Sequence, residues 1–322
     1  MSVPVIAFFN NKGGVGTTSL VYHLAWMFSD LGVKVLAADL DPQADLTAAF
    51  LPEDLLKDVW AEETRLISTR IADDSTHPIL LPFDDNLVLL PGNVMLSGCE
   101  DELSAEWSRA LSGSEQAISV LSAFWRAMQN AAAVTESQII LMDLGPNLGS
   151  ITRAAMIAAD YVVFPLAPDL FSVLGLEILG STLRKWRGDW QERVSCGSSK
   201  YAKLPAGKMT PLGYVVQQPS VVMKTAENWI NWIPDKYRKF VLDAPPTGGV
   251  SIFDDPQNLS VLRPYRTLLS MAQEARKPMF HLKPADGATG AHLQSAEEAR
   301  KDFDALARAI ITRAKLPITL AI

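Results

Sequence analysis

The chain has 322 residues, of which 48% are hydrophobic and 20% charged, enough for one large α/β domain or two small ones. Its two cysteines have no metal-ligand spacing, which argues against a disulfide framework and a zinc site. The net charge of −7 is unevenly divided: residues 1–160 carry 8 Lys and Arg against 21 Asp and Glu, whereas residues 161–322 carry 21 against 15. The basic second half could face a polyanion, or the charges could form ordinary solvated surface.

Short apolar runs alternate with helical patterns along the chain, which is typical of βαβ units and a mainly parallel sheet. The first strand is predicted at residues 5–9, and a helix at 17–31 follows a glycine-rich turn. Further strands are predicted at residues 33–38, 87–90, 139–142, 161–165 and 212–216. A last helix at 296–314 has an apolar face that we expect to pack on the core.

Some stretches are less regular. Residues 52–86 and 100–137 are expected to form helices and loops over the sheet edge, and the basic stretch 184–208 could be an exposed excursion. No linker or repeat divides the chain, so we expect a single domain over residues 1–322.

The apolar runs are too short to span a bilayer, and no basic leader precedes the first strand. We therefore expect a cytoplasmic protein without a membrane anchor. The apolar segment 316–322 is interrupted by a proline and is expected to dock on the body of the protein.

The glycine-rich turn between the first strand and the first helix predicts a phosphate-binding loop. Glycines allow successive backbone N–H groups to turn toward one point, and the helix N-terminus adds partial positive charge there. The candidate residues are Lys12, Gly13, Gly14, Val15, Gly16, Thr17, Thr18 and Ser19. The general motif is only partly met, because Asn11 stands at its first glycine and Thr17 at its lysine. The alternative is a tight strand–helix turn without a ligand.

Acidic residues follow two of the predicted strands. Asp39 and Asp41 come after the second strand, and Asp143 follows the run 139–142. Open parallel sheets bind ligands at the carboxyl ends of their strands, and a threonine hydroxyl such as that of Thr18 can join the shell of Mg²⁺. The sequence therefore predicts metal and nucleotide chemistry at this edge, although each acid alone could cap a strand or a loop.

These motifs resemble those of the ParA/MinD family. Residues 12–18 are similar to its deviant loop K-G-G-x-G-K-[ST], residues 39–43 match its D-x-D-P-Q segment, and 139–146 resemble its Walker B strand and second switch, with Gly145 where many relatives have proline. The resemblance implies a P-loop NTPase fold, with helices on both faces of a mainly parallel twisted sheet, that binds ATP and Mg²⁺. No helix-turn-helix precedes the first strand, so operator-type autoregulation is not expected.

The resemblance also implies roles for individual residues. Lys12 would reach the nucleotide of a partner subunit, Asp41 would position the attacking water, and Asp143 would hold Mg²⁺ through water. Together with Thr18, the two acids would form the metal site. Independently of the resemblance, Gln217 and Gln218 follow the strand predicted at 212–216 and could meet adenine. Because Thr17 replaces the lysine that grips the β- and γ-phosphates, we expect reduced ATP affinity and very slow hydrolysis.

The partners implied are a second copy in a nucleotide-dependent homodimer, non-specific DNA and a ParB-like or other activating protein, which would permit nucleoid association. The candidate contacts to DNA phosphates are Lys236, Arg238, Lys239, Arg263, Arg266, Arg276 and Lys277. Each of these residues could instead pair with an acid or a helix end. A second hypothesis is a non-hydrolysing nucleotide sensor that regulates a protein partner without binding DNA.

Overall fold

The computed structural model describes residues 2–61, 79–196, 203–217 and 224–320. It confirms the predicted α/β class, with eight strands in one sheet of order β3-β4-β2-β5-β1-β6-β7-β8. The strands are β1 Val5–Phe8, β2 Val35–Asp39, β3 Leu81–Asp84, β4 Leu87–Leu90, β5 Ile139–Asp143, β6 Tyr161–Leu166, β7 Thr210–Gln217 and β8 Asn258–Leu262. All neighbouring strands are parallel except β3, which runs antiparallel to β4 at one edge.

Helices cover both faces of the sheet. They are α1 Thr17–Asp30, α2 Asp45–Phe50, α3 Glu53–Ala61, α4 Glu100–Ala110, α5 Glu115–Leu121, α6 Ala123–Val134, α7 Ser150–Ile157, α8 Leu170–Cys196, α9 Lys224–Lys236, α10 Arg266–Ala275 and α11 Ala291–Ala314. Side chains of α1, α2, α10 and α11 form the core on one face, and those of α4 to α8 form most of the core on the other. The central strands are therefore buried on both sides, as their continuous apolar sequences require.

Helix α1 carries the phosphate-binding loop at its start and is anchored in the core. Leu20, Leu24 and Phe28 repeat at helical spacing and are fully buried. His23 lies on the same helix with 2% exposure, and burial lowers its pKa to about 4. Gly32, with φ of 75°, ends the helix as predicted.

Residues 184–196 do not form the exposed excursion that we expected. They continue α8, and Trp186 and Trp190 are buried in the core. Two arginines here donate to backbone carbonyl oxygens: Arg187 to Met209 and Arg193 to Trp107. An arginine that satisfies a carbonyl group and packs its stem on a ring can lie inside a fold.

The end of the chain packs as expected where it is described. Leu316, Ile318 and Leu320 are partly buried against the core that contains α11. Within the described ranges, no helix is both long and apolar enough to cross a membrane.

Candidate nucleotide-binding site

The predicted phosphate-binding loop joins β1 to α1 at the carboxyl edge of the sheet. Gly14 and Gly16 have φ of 76° and 78°, a conformation that glycine adopts without strain. Gly16 is the N-cap of α1, no side chain caps this end, and the first turn contains no acidic residue. The first N–H groups of α1 thus remain available for an anion, and the helix dipole favours one there.

A cavity of about 250 Å³ opens over this loop. It is lined by Asn10, Lys12, Gly13, Gly14, Gly16, Thr17, Thr18, Asp41, Gln43, Asp45, Leu144 and Pro146. Thr17 therefore lies in the wall where the general motif places a lysine. Among the lining residues, Lys12 is the only cation, whereas Asp41 and Asp45 are acidic.

Lys12 does not point freely into solvent. Its ammonium group forms an ion pair with Asp169, which lies between β6 and α8. The sequence analysis did not identify Asp169, although an acidic residue just after a predicted strand was a usable signal. The predicted contact of Lys12 with a partner's nucleotide is not tested by a single chain and remains a prediction.

Asp39 is a structural residue at this edge. Its Oδ2 accepts hydrogen bonds from the backbone N–H of Thr47 at 2.8 Å and from the Thr47 hydroxyl at 2.6 Å. Its Oδ1 accepts from the N–H of Asp41 at 3.2 Å. Burial raises the pKa of Asp39 to about 7, so these bonds only partly offset desolvation. Asp39 thereby fixes the turn from β2 into α2.

Asp41 and Asp143 are brought together as predicted. Asp143 pairs in register with Phe8 of β1 and with Asp39 of β2, at the ends of the strands. Asp41 is buried beside Gly145, where a Cβ atom would lie 2.6 Å from the Asp41 carboxylate. Gly145 thus permits the close approach of the segments that follow β2 and β5.

The carboxylate of Asp143 is fully buried, and neither of its oxygens has a hydrogen bond of regular geometry within the described part of the chain. Burial raises its pKa well above the usual value, with further increases from the charges of Asp39 and Asp41, and the Thr18 hydroxyl opposes these effects. No cationic side chain among the described residues pairs with this carboxylate, so a cation does not offset its burial there.

These residues fit Mg²⁺. The unpartnered oxygens of Asp143, the carboxylate of Asp41 and the hydroxyl of Thr18 are hard oxygen donors. The described residues contain no group of three or more His, Cys, Asp or Glu side chains able to hold a metal. Mg²⁺ does not need one, because it usually keeps several waters and binds phosphate oxygens.

Gln217 lies at the end of β7 and touches the loop. Its side-chain amide donates to the Gly16 carbonyl at 3.1 Å, and a Cβ atom on Gly16 would lie 2.5 Å from its Oε1. It also lines a cavity of about 190 Å³ with Pro264 and Tyr265. This is compatible with the predicted adenine contact, while Gln218 lies outside the described residues.

The candidate DNA contacts fall into two groups. Arg263 pairs with Glu298 and Asp302, Lys277 pairs with Asp286, and Arg276 donates to the carbonyls of Ala48 and Leu51. Lys236, Arg238 and Lys239 also have no acidic partner among the described residues: Arg238 donates to the Pro245 carbonyl, and the two lysines lie over the Phe240 ring. Arg266 is exposed at the start of α10.

Comparison with known proteins supplies independent findings. A family model described as an AAA domain matches residues 3–195. The chromosome partitioning protein ParA of Caulobacter vibrioides is 29% identical over 195 residues, which cover 59% of this chain and 66% of that protein. The chain spans only 42 to 66% of the length of the curated relatives that it matches.

Solved structures cover more of the chain. A Corynebacterium diphtheriae protein has a TM-score of 0.72 at 18% identity, covering 97% of this chain and 99% of that one. A putative plasmid partition protein of Borrelia burgdorferi bound to AMPPNP has a TM-score of 0.60 at 15% identity, covering 97% and 100%. At such identities the likeness shows the fold.

Proposed function

The chain belongs to the AAA domain family, as a ParA/MinD-like P-loop ATPase, and from this membership we propose that it is an ATP-binding switch in DNA partition or cargo positioning. The observation that carries the proposal is the pairing of the glycine loop, at an N-terminus of α1 that no side chain caps, with the buried Asp143, which forms no ion pair within the described ranges. Loop amides attract phosphate, and the carboxylate requires a cation, so the two needs are met together by ATP with Mg²⁺.

Bound Mg²⁺ would neutralise charge on the β- and γ-phosphates. In this chain the amides from Gly13 to Ser19 would hold the phosphates, and the Thr18 hydroxyl with Asp143 would hold the metal. Asp41 would orient the attacking water. Gln217 would contact the base.

Hydrolysis is proposed to be slow. The wall of the phosphate cavity carries Thr17 where a lysine would stabilise the developing charge. Loss of one such donor costs roughly 2–4 kcal/mol of transition-state stabilisation, or about two to three decades in rate. Binding falls less, because the amides and the metal still hold the triphosphate.

A nucleotide-dependent homodimer is supported by the surface next to the loop. Leu170, Phe171, Leu174 and Ile178 lie on the first turns of α8 with 38%, 71%, 48% and 49% of their surfaces exposed. Exposed apolar side chains at helical spacing mark an interaction surface. They lie on the helix that follows Asp169, the partner of Lys12.

Non-specific DNA binding is assigned to the short segment that contains Lys236, Arg238 and Lys239. These cations lie on the last turn of α9 and on the π-helical turn Tyr237–Val241 that follows. No acid in the described part of the chain pairs with them, and their contacts with the Pro245 carbonyl and the Phe240 ring leave their charge unneutralised for phosphate groups.

Thr17 favours a second candidate function, a nucleotide sensor without useful turnover that regulates a protein partner. The two candidates differ in their DNA affinity. A gel shift with plain duplex DNA, with and without MgATP, separates them: a shift that weakens steeply with salt supports the switch, and no shift supports the sensor.

The proposal itself is tested by calorimetric titration of the purified chain with ATP in the presence of Mg²⁺. We expect binding that weakens when EDTA removes the metal. A chain that binds neither ATP nor ADP at millimolar ligand would refute the nucleotide-switch assignment.

A further inference from the structure

The ion pair between Lys12 and Asp169 is built into the edge of the sheet. The two side chains are 33% and 35% exposed, so solvent screens the pair only in part. The second oxygen of Asp169 accepts a hydrogen bond from the N–H of Ser172 at 2.9 Å. The carboxylate is thus held by the first turn of α8 while it binds the lysine.

Side-chain contacts hold the loop against the end of β6, and the loop also lies close to α8. The Asn10 amide donates to the Pro165 carbonyl at 2.6 Å, and the N–H of Lys12 donates to Asn10 Oδ1 at 2.9 Å. Gly175 lets α8 approach the loop, because a Cβ atom there would lie 2.8 Å from Asn11 Oδ1. The position of the loop thus keeps Lys12 close to Asp169, which is itself held by the first turn of α8.

The same lysine is the sole cation among the residues that line the phosphate cavity, where Thr17 is neutral. A phosphate group in that cavity would compete with Asp169 for one ammonium group. A lysine at position 17 would supply a second cation and relieve this competition.

From this geometry we propose that Asp169 is a positioning residue that competes with phosphate for Lys12 and so sets the affinity of the loop for ATP. The inference rests on the proposed ATP binding and adds an internal anion that regulates it. Nucleotide binding would transfer Lys12 from Asp169 to the phosphates and leave Asp169 as the cap of α8 alone.

The test is calorimetric titration with MgATP of the wild type and Asp169→Asn. The asparagine keeps an oxygen for the Ser172 N–H but loses the charge. We expect MgATP to bind about two- to fivefold tighter, the range that a partly exposed ion pair is worth. This increase in MgATP affinity caused by Asp169→Asn should disappear when Lys12→Gln is also present. It should become smaller when Thr17→Lys is also present. Asp304→Asn, which removes a carboxylate paired with Arg308 on α11, is the matched control and should leave affinity unchanged.

Each outcome decides the matter. Equal affinity of the wild type and Asp169→Asn overturns the inference but not ATP binding. An undiminished gain in the Lys12→Gln background also overturns it, because Asp169 would then act by direct repulsion of phosphate. A lower melting temperature without tighter binding indicates only a helix cap and counts against it. If neither protein binds MgATP, the proposed function fails as well, whereas binding by Asp169→Asn alone supports the inference.

Discussion

The two strongly charged regions of the molecule differ in how their charge is accommodated. At the carboxyl edge of the sheet, Asp39, Asp41 and Asp143 are buried within one small volume, and the pKa of each is raised by burial. In the basic second half, the charges are dispersed: Arg193 is buried and donates to a carbonyl group, whereas surface cations such as Arg263 and Lys277 pair with acids.

This difference shows which charges predict a ligand. Converging carboxylates that the chain itself does not neutralise create a demand for a cation at one point. Dispersed cations create such a demand only where acidic neighbours are missing, which among the described residues reduces the DNA candidates to Arg266, Arg276 and the cations at 236–239. Net charge by itself does not make this distinction.

The largest expected effect comes from restoring the missing cation of the phosphate cavity. Thr17→Lys should raise the rate of phosphate release under saturating MgATP by about 100- to 1000-fold. Thr17→Val, which changes the side chain without adding charge, is the control and should stay near the wild-type rate. Equal rates for the lysine variant and the wild type would show that position 17 is not limiting.

Removing the buried carboxylate of Asp143 should have opposite effects on the stability of the protein and on its binding of ATP. Asp143→Asn should raise the melting temperature of the nucleotide-free protein, because the burial penalty and the repulsion from Asp39 and Asp41 are relieved. It should also weaken the Mg²⁺-dependent part of ATP binding by roughly 10- to 100-fold. Asp254→Asn on the surface should change neither quantity. Unchanged metal dependence in Asp143→Asn would remove this carboxylate from the metal site.

The burial of His23 on α1 should make the stability of the protein depend on pH. Its pKa is lowered to about 4 by burial, so the unfolded chain takes up a proton first as the pH falls below about 6.5. Its contribution to stability is complete above pH 6.5 and is lost as the pH falls toward 4. The unfolding free energy should drop by about 2 kcal/mol between pH 7 and pH 5 from this residue. Urea titrations should show a smaller drop for His23→Leu, and an equal drop would assign the effect to other groups.

The smallest expected effect concerns the basic segment. Replacing Lys236, Arg238 and Lys239 by alanine should lower the slope of log affinity against log salt for duplex DNA by about 1 for each lost phosphate contact. Arg263→Ala and Lys277→Ala remove cations already paired with acids and should leave the slope close to that of the wild type. The reverse result would move the DNA surface to α10 and its neighbours.

The fold and the loop could be predicted because their signals are local. Alternating apolar runs located six of the strands, and the glycines with two hydroxyl residues located the turn between β1 and α1. The strands β3 and β8 were missed because they lie at the sheet edges: β3 contains Pro82, and three of the five residues of β8 are only partly buried. Edge strands need less apolar sequence than central ones.

The remaining parts of the site depend on tertiary contacts. Asp169 acquires its place only because α8 packs on the loop through Gly175, and nothing at residues 169–175 alone indicates a lysine partner. The prediction of an exposed excursion at the basic end of α8 was wrong for a similar reason. Arginines there donate to carbonyl groups that are distant in sequence, and the sequence alone does not show these partners.

Helix α8 has one consequence for how the molecule can move. It is 27 residues long, and residues one to two turns apart contact different regions: Gly175 adjoins Asn11 of the loop, and Gly180 adjoins the Phe240 carbonyl of the basic segment. A Cβ atom at position 180 would lie 1.9 Å from that carbonyl, so the basic segment is packed against the backbone of the helix itself. A tilt of α8 would therefore displace Asp169, the partner of Lys12, together with the basic segment. Movement of this one helix would couple the phosphate loop to the proposed DNA-binding surface.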